Sequence, residues 1–257
     1  LALPNQGDID SQSLAGLTQT GTHGTGLEFT GLAATVTGLT MVDAQGELRE
    51  LSASQDELLF DFARLALGTF GVIVEIEMAC VPAFDLQAEE LTEDLTEIID
   101  TFVERSRVHD HIEFFWFAHA DKAAVRINTR LPQEPSVRAR RSPIQRWLSQ
   151  TLVDNHIYRA SLEVGRHLPQ AVPRLNRIAA EAMSNRSHRG PAHEIFVSPR
   201  LVKFHEVEYA VPLEDGAEVL REVRHLVESR GWPLSFPFEV RTCLLYTSDA
   251  ADDSLRV

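Results

Sequence analysis

The sharpest constraint in this sequence is a change of texture at Pro82. Upstream of it, most of the chain's 14 glycines punctuate short apolar runs, whereas downstream long helical stripes alternate with aromatic, strand-like segments. In the first region, residues 30–41 and 47–51 read as strands joined by a turn over residues 43–46. Ser54 and Glu57 have capping-box spacing, Leu58, Leu59, Phe62, Leu65 and Ala66 share one helical face, and Gly68 supplies the stop. Residues 70–78 follow as a strand in which Glu75 and Glu77 alternate with Val74, Ile76 and Met78, which predicts one solvated face.

Past Pro82, Leu95, Ile98, Ile99, Phe102 and Val103 form a helical stripe, and residues 113–117 and 123–129 read as strands. Helices are expected near residues 144–153 and 174–183, then a strand over 203–211. A helix with Val219, Leu220, Val223, Leu226 and Val227 inward follows, and an extended run covers 234–241. That order predicts an α+β fold, an antiparallel sheet with helices on one face. An apolar content of 44% is enough for a buried core. No internal repeat is visible.

Charge and composition narrow the function classes. A formal charge of -14 argues against nucleic acid, whose phosphates need clustered cations. Arg138, Arg140, Arg141 and Arg146 do cluster, but Pro132, Pro135 and Pro143 among them point to an exposed loop leading into a helix. No apolar run approaches the roughly 18 residues of a transmembrane segment, and residues 1–10 lack signal-peptide features. Cys80 and Cys243 alone make no disulfide framework, so a reducing, cytoplasmic setting is expected. Oligomeric state is not legible.

Two constellations could carry chemistry. Gly16, Gly21, Gly24 and Gly26 punctuate residues 8–26, with threonines between them. Such spacing lets the backbone reach positive φ and turn N–H groups toward an anion, so a diphosphate would suit it. The spacing is neither that of a P-loop nor of a Rossmann turn, and the residues alone fit a plain loop equally well. Glu239 and Arg241, two apart on an extended run, would project from one face. They read either as a surface ion pair beside Phe236 and Phe238 or as an acid and a guanidinium aimed at one ligand. His109, His111 and His119 match no zinc spacing and read as structural, and His205, Glu206 and Glu208 read as a solvated strand face.

The run Gly7-Asp-Ile-Asp-Ser-Gln-Ser-Leu-Ala-Gly16 followed by Thr20-Gly-Thr-His-Gly-Thr-Gly26 resembles the FAD-binding signature of the aldonolactone oxidoreductases. These are flavoproteins of the vanillyl-alcohol-oxidase type that include gulonolactone, arabinonolactone and galactonolactone enzymes. Leu67-Gly-Thr-Phe-Gly-Val-Ile73 is similar to a second family element, and residues 113–117, Asp121-Lys122, 173–176 and 206–212 resemble the family's substrate domain. The resemblance implies that Gly16, Thr20, Gly21, Thr22, His23, Gly24, Thr25 and Gly26 lie along FAD and its diphosphate. Val72 and Ile73 would then meet the adenine end, and Glu239 and Arg241 would line the substrate pocket at the flavin ring. No metal is implied.

The implied organisation is the C-terminal part of a PCMH-type FAD-binding domain over residues 1–82 and a substrate, or cap, domain over 83–242. Residues 243–257 resemble a translated sequencing-adapter tail and are expected to be non-native. Family members carry a further flavin-binding loop ahead of the matched region and a His-x-x-Trp-Gly-Lys segment after it, so the chain is expected to hold part of an FAD site. The implied activity is FAD-dependent oxidation of a sugar-derived 1,4-lactone, with hydride passing from a CH–OH carbon to flavin N5. Oxygen or another acceptor would reoxidise it. A non-catalytic truncated fragment and an alditol oxidase of the same superfamily are the alternatives.

Overall fold

A computed structural model describes residues 1–132, 158–198, 202–244 and 253–256. The arginine-rich loop and the helix expected near residues 144–153 lie outside them. The fold is α+β, and the described residues form one eight-stranded and one three-stranded sheet.

The small sheet is built from β2 (Val36–Val42), β3 (Leu48–Ser52) and β4 (Val72–Met78), with β2 in the middle and both neighbours antiparallel to it. The strand expected over 30–41 is divided. Only Thr30 of it belongs to β1 (Gly26–Thr30), and a 3-10 turn at Leu32–Thr35 redirects the chain into β2. The turn at 43–46 forms as expected, with the Asp43 carboxylate accepting from the N–H groups of Gln45 and Glu47.

Two local readings need correction. Helix α2 (Glu57–Ala63) starts at Asp56 with no side-chain cap, because the Ser54 hydroxyl bonds Ser52 instead. Its inward face is Leu59, Phe60 and Ala63, while Leu58 is 71% and Phe62 58% exposed. The helix ends before Leu65, well short of Gly68, so Leu65 and Ala66 never join a helical stripe. In β4 the register against β2 shifts between Ile73 and Glu75. That bulge resets the alternation, so Ile73, Ile76 and Met78 face the core while Val74 turns outward.

The large sheet holds eight of the eleven described strands. Its order is β8 (Arg186–Pro191), β5 (Asp85–Asp94), β7 (Lys122–Arg130), β6 (His111–Trp116), β10 (Phe238–Leu244), β11 (Asp253–Arg256) and β9 (Ala210–Pro212). These neighbours are antiparallel, and β1 joins β10 in parallel. Regular structure thus extends past Arg241 into the stretch read as a tail, with Thr242 and Cys243 buried. The strand expected over 203–211 shrinks to β9, and residues 203–209 run irregularly.

One face of this sheet is apolar. Ile112, Phe114 and Trp116 from β6, Ala123, Val125 and Ile127 from β7, and Val240 from β10 meet Leu95, Ile98, Ile99 and Phe102 of α3 (Leu95–Ser106). The Asp94 carboxylate caps α3 by accepting from Thr96 and Glu97 N–H groups. Helix α7 (Gly216–Arg230) adds Leu220 and stops at Gly231, which takes the left-handed conformation.

The opposite face starts at His111, whose ring lies between Phe29 of β1 and Phe196 of α6 (Ala192–Phe196). Its Nδ1 donates to the Thr25 carbonyl at 2.8 Å. Burial holds this imidazole below its ordinary 6.5, although the Thr25 bond and the Asp110 charge pull the other way. The unfolded chain therefore takes up a proton that the folded chain resists. The stability this contributes is complete above that pH and is lost as pH falls toward the depressed folded-state value.

Two outcomes follow from this packing. Phe114→Ala should cost about 3–5 kcal/mol in urea unfolding, because it empties the centre of the core, whereas exposed Leu58→Ser should stay within about 0.5 kcal/mol. Between pH 7 and 5, His111→Gln should lose less stability than the wild type, since Gln keeps a donor for Thr25 and cannot titrate. Equal pH slopes would show that His111 is not the titrating group.

Candidate active site

Glu239 and Arg241 share the polar face of β10, and Arg241 Nε lies 3.2 Å from Glu239 Oε1. The register carries the pattern across two more strands. Arg241 stands opposite Glu113 of β6, and Glu113 stands opposite Arg126 of β7. Arg126 Nη1 donates to Glu113 Oε1 at 2.9 Å, with its guanidinium 5.6 Å from the centre of the Phe115 ring. Asp8 joins them, its carboxylate within 4.8 Å of those of Glu113 and Glu239.

The surrounding carboxylates hold the two guanidiniums in their charged forms. Burial works to lower the pKa of Arg126, but Glu113, then Asp8, Glu90 and Glu239 outweigh it and the net shift is upward. Arg241 is likewise opposed by burial and raised by Glu239, Asp8, Glu208 and Glu113. Both guanidiniums therefore stay cationic at any working pH.

A buried amide steers β10 into place. Asn176 of α5 (Val172–Glu181), the helix that follows α4 (Tyr158–His167), donates from Nδ2 to the carbonyls of Ala118 at 3.0 Å and Leu234 at 2.9 Å. These two hydrogen bonds tie the chain entering β10 to the turn just after β6.

The glycine–threonine segment reaches this face, although its local form differs from an open row of N–H groups. A short helix, α1 (Leu14–Gln19), occupies its middle, and the Gly16 N–H is taken by the Ser13 hydroxyl. Thr20 and Thr22 donate their N–H groups to Gly16 and Leu17 carbonyls, and the Thr25 hydroxyl donates to the Ile112 carbonyl. Of the four glycines only Gly21 and Gly26 have positive φ. Gly24 is required by closeness, since a Cβ there would sit 2.3 Å from the Gln6 carbonyl oxygen. Gly26 combines φ +125 with a Cβ position 2.3 Å from the Asp110 carbonyl oxygen.

His23 is the residue of this bend that meets the acid–arginine pair. Arg241 Nη1 donates to the His23 carbonyl at 3.5 Å. The imidazole, 3% exposed, lies 2.7 Å from the Gly24 carbonyl through Nδ1 and 2.7 Å from Glu208 Oε1 through Nε2. Glu208 is thus a partner of the site, not part of a solvated strand face. Val72 and Ile73 lie apart on the small sheet, Val72 68% exposed and Ile73 against its core. The link between the two segments is Gln19. Its amide donates to the Ala63 and Arg64 carbonyls and accepts from Ala66 and Gly68 N–H groups.

Sequence reading missed Asp8, Gln19, Glu113, Arg126 and Glu208 as members of the site. A legible signal existed for two of them. Glu113 and Arg126 each interrupt an apolar strand, where a charge survives burial only with a partner.

The chain is similar in sequence to known proteins. L-gulono-1,4-lactone dehydrogenase of Mycobacterium tuberculosis strain H37Rv is 38% identical over 245 residues, covering 94% of this chain and 55% of that protein. L-gulonolactone oxidase of Bos taurus is 29% identical over 244 residues, covering 94% of this chain and 54% of its own length. The chain spans about half the length of the curated relatives it matches. Among solved structures, a cholesterol oxidase from B. sterolicum superposes with TM-score 0.71 at 18% identity, over 98% of this chain and 59% of that one, and so shares the fold. The family model described as D-arabinono-1,4-lactone oxidase matches residues 76–249, and the chain belongs to that family.

Proposed function

We propose that this chain carries the acid–arginine half of an enzyme that oxidises a sugar-derived 1,4-lactone at a CH–OH carbon with FAD. The observation that carries the reading is the contact between Arg241 and His23, which sets Glu239 and Arg241 against the glycine–threonine bend. The donor set suits a flavin. Arg241 stays cationic and can offer donors to negative charge, and exposed Val72 leaves apolar surface open to an adenine. Gly16, Thr20, Gly21, Thr22, His23, Gly24, Thr25 and Gly26 would flank the cofactor, with Val72 and Ile73 toward its far end.

FAD, when bound, supplies the hydride acceptor. The chain's own residues do the rest. The Glu239 carboxylate accepts a hydrogen bond from the substrate hydroxyl and takes its proton as hydride leaves the adjoining carbon. Arg241 fixes that carboxylate from Nε and offers donors to negative charge on its other side. Glu113 and Arg126 hold the face rigid behind them. A reducing, cytoplasmic setting fits a chain with Cys80 and Cys243 as its two cysteines.

The test is anaerobic mixing of the FAD-loaded chain with L-gulono-1,4-lactone and D-arabinono-1,4-lactone. The visible flavin bands should bleach, and Glu239→Gln should slow bleaching on the order of 100-fold or more. Bands that persist with every lactone, yet bleach with a chemical reductant, would sink the proposal. Bleaching by alditols alone would redirect it to a polyol oxidase. The second reading, a non-catalytic piece, draws on the half-length match to the relatives. It predicts no flavin bands after FAD is added.

A further inference from the structure

The geometry points to Glu208 as a positioning residue that locks His23 and Arg241 into one hydrogen-bonded unit. This rests on the reading of Glu239 and Arg241 as the reactive pair. Glu208 lies 33 residues from Arg241 and 185 from His23 in sequence, on the irregular run before β9. One atom, Glu208 Oε1, faces both His23 Nε2 at 2.7 Å and Arg241 Nη2 at 3.5 Å.

Consider first what fixes the guanidinium. Glu239 approaches Arg241 Nε from the same strand, which leaves rotation about the side-chain bonds open. The His23 carbonyl at Nη1 and Glu208 at Nη2 place an oxygen at each remaining nitrogen. Three oxygens from three separate segments define the plane of the fork, and only then does the Glu239 carboxylate hold one orientation.

The histidine supplies the second half. Because a carbonyl can only accept, His23 Nδ1 must donate to Gly24, which fixes the ring's orientation. The contact between Nε2 and Glu208 Oε1 then needs a proton along it. Without Glu208, a ring nitrogen buried to 3% exposure would lose the carboxylate it faces at 2.7 Å. Glu208 therefore holds the ring in place, and through the His23 backbone it also holds the carbonyl that receives Arg241. The pair acts on chemistry through Arg241, not by touching substrate.

The test compares Glu208→Ala with Glu208→Gln, whose amide oxygen can still accept from both neighbours. In the cofactor-free 257-residue chain with labelled histidine, a low-field ring N–H signal from His23 Nε2 should be visible by NMR. It should vanish in Glu208→Ala and survive, shifted, in Glu208→Gln. In the FAD-loaded chain the limiting rate of lactone-driven bleaching should fall on the order of 100-fold in Glu208→Ala and stay within about tenfold in Glu208→Gln. The lactone concentration for half-maximal rate should barely move in either. Persistence of the N–H signal in Glu208→Ala, or an unchanged limiting rate in that variant, overturns the assignment. Should no lactone bleach the flavin even in the wild type, the NMR comparison alone still decides whether Glu208 holds His23, so the two failures are distinguishable.

Discussion

Everything at the candidate site depends on burying an alternating row of charges on one face of a sheet whose other face is the hydrophobic core. Arg126, Glu113 and Arg241 stand side by side across β7, β6 and β10, while Val125, Phe114 and Val240 stand side by side behind them. A one-residue slip of β10 would drive Glu239 and Arg241 into the Phe114 and Trp116 layer and lift Val240 and Phe238 out of it. The desolvation cost of a lone buried guanidinium is large, so that slip is strongly disfavoured. The charges thus specify register as well as chemistry. Truncating one of them would affect both, which is why isosteric, charge-removing substitutions are the informative ones.

Much of this was readable from the chain. The stripe of α3, the aromatic strand β6 and the outward pairing of Glu239 with Arg241 all follow from simple periodicity, and they stand in the structure. Failures came where a local pattern has a competing partner, near or far in sequence. Ser54 and Glu57 have the spacing of a capping box, yet the Ser54 hydroxyl is drawn to Ser52 and Asp56 takes a left-handed conformation at the helix start. In β4 an unpatterned bulge moved Val74 to the outside. The first is a competition between neighbouring side chains that spacing alone does not rank, and the second is decided by the partner strand.

The glycine-rich bend illustrates a subtler ambiguity. Closely spaced glycines look the same in sequence whether they free the backbone for positive φ or clear room for another chain. Gly21 answers to the first reason and Gly24 to the second, while Gly16 sits inside a helix where neither applies. His23 and Glu208 show the same limit at greater distance. A histidine in a glycine run and a glutamate among exposed residues carry no sign that they bond across 185 positions.

The direction of β1 completes the geometry. In a sheet otherwise assembled from antiparallel neighbours, β1 runs parallel to β10, with Gly26 opposite Cys243. Parallel pairing makes the residues just before Gly26 lie beside those just before Cys243, so His23 falls next to Arg241. An antiparallel β1 at the same register would instead have carried Phe29 and Thr30 toward Arg241 and left the bend at the far end of the strand. The crossover needed for a parallel neighbour is long, and here nearly the whole large sheet is built between the two strands. The meeting of the bend with the acid–arginine pair is therefore a property of the finished fold. No piece of the chain lacking either β1 or β10 could assemble it.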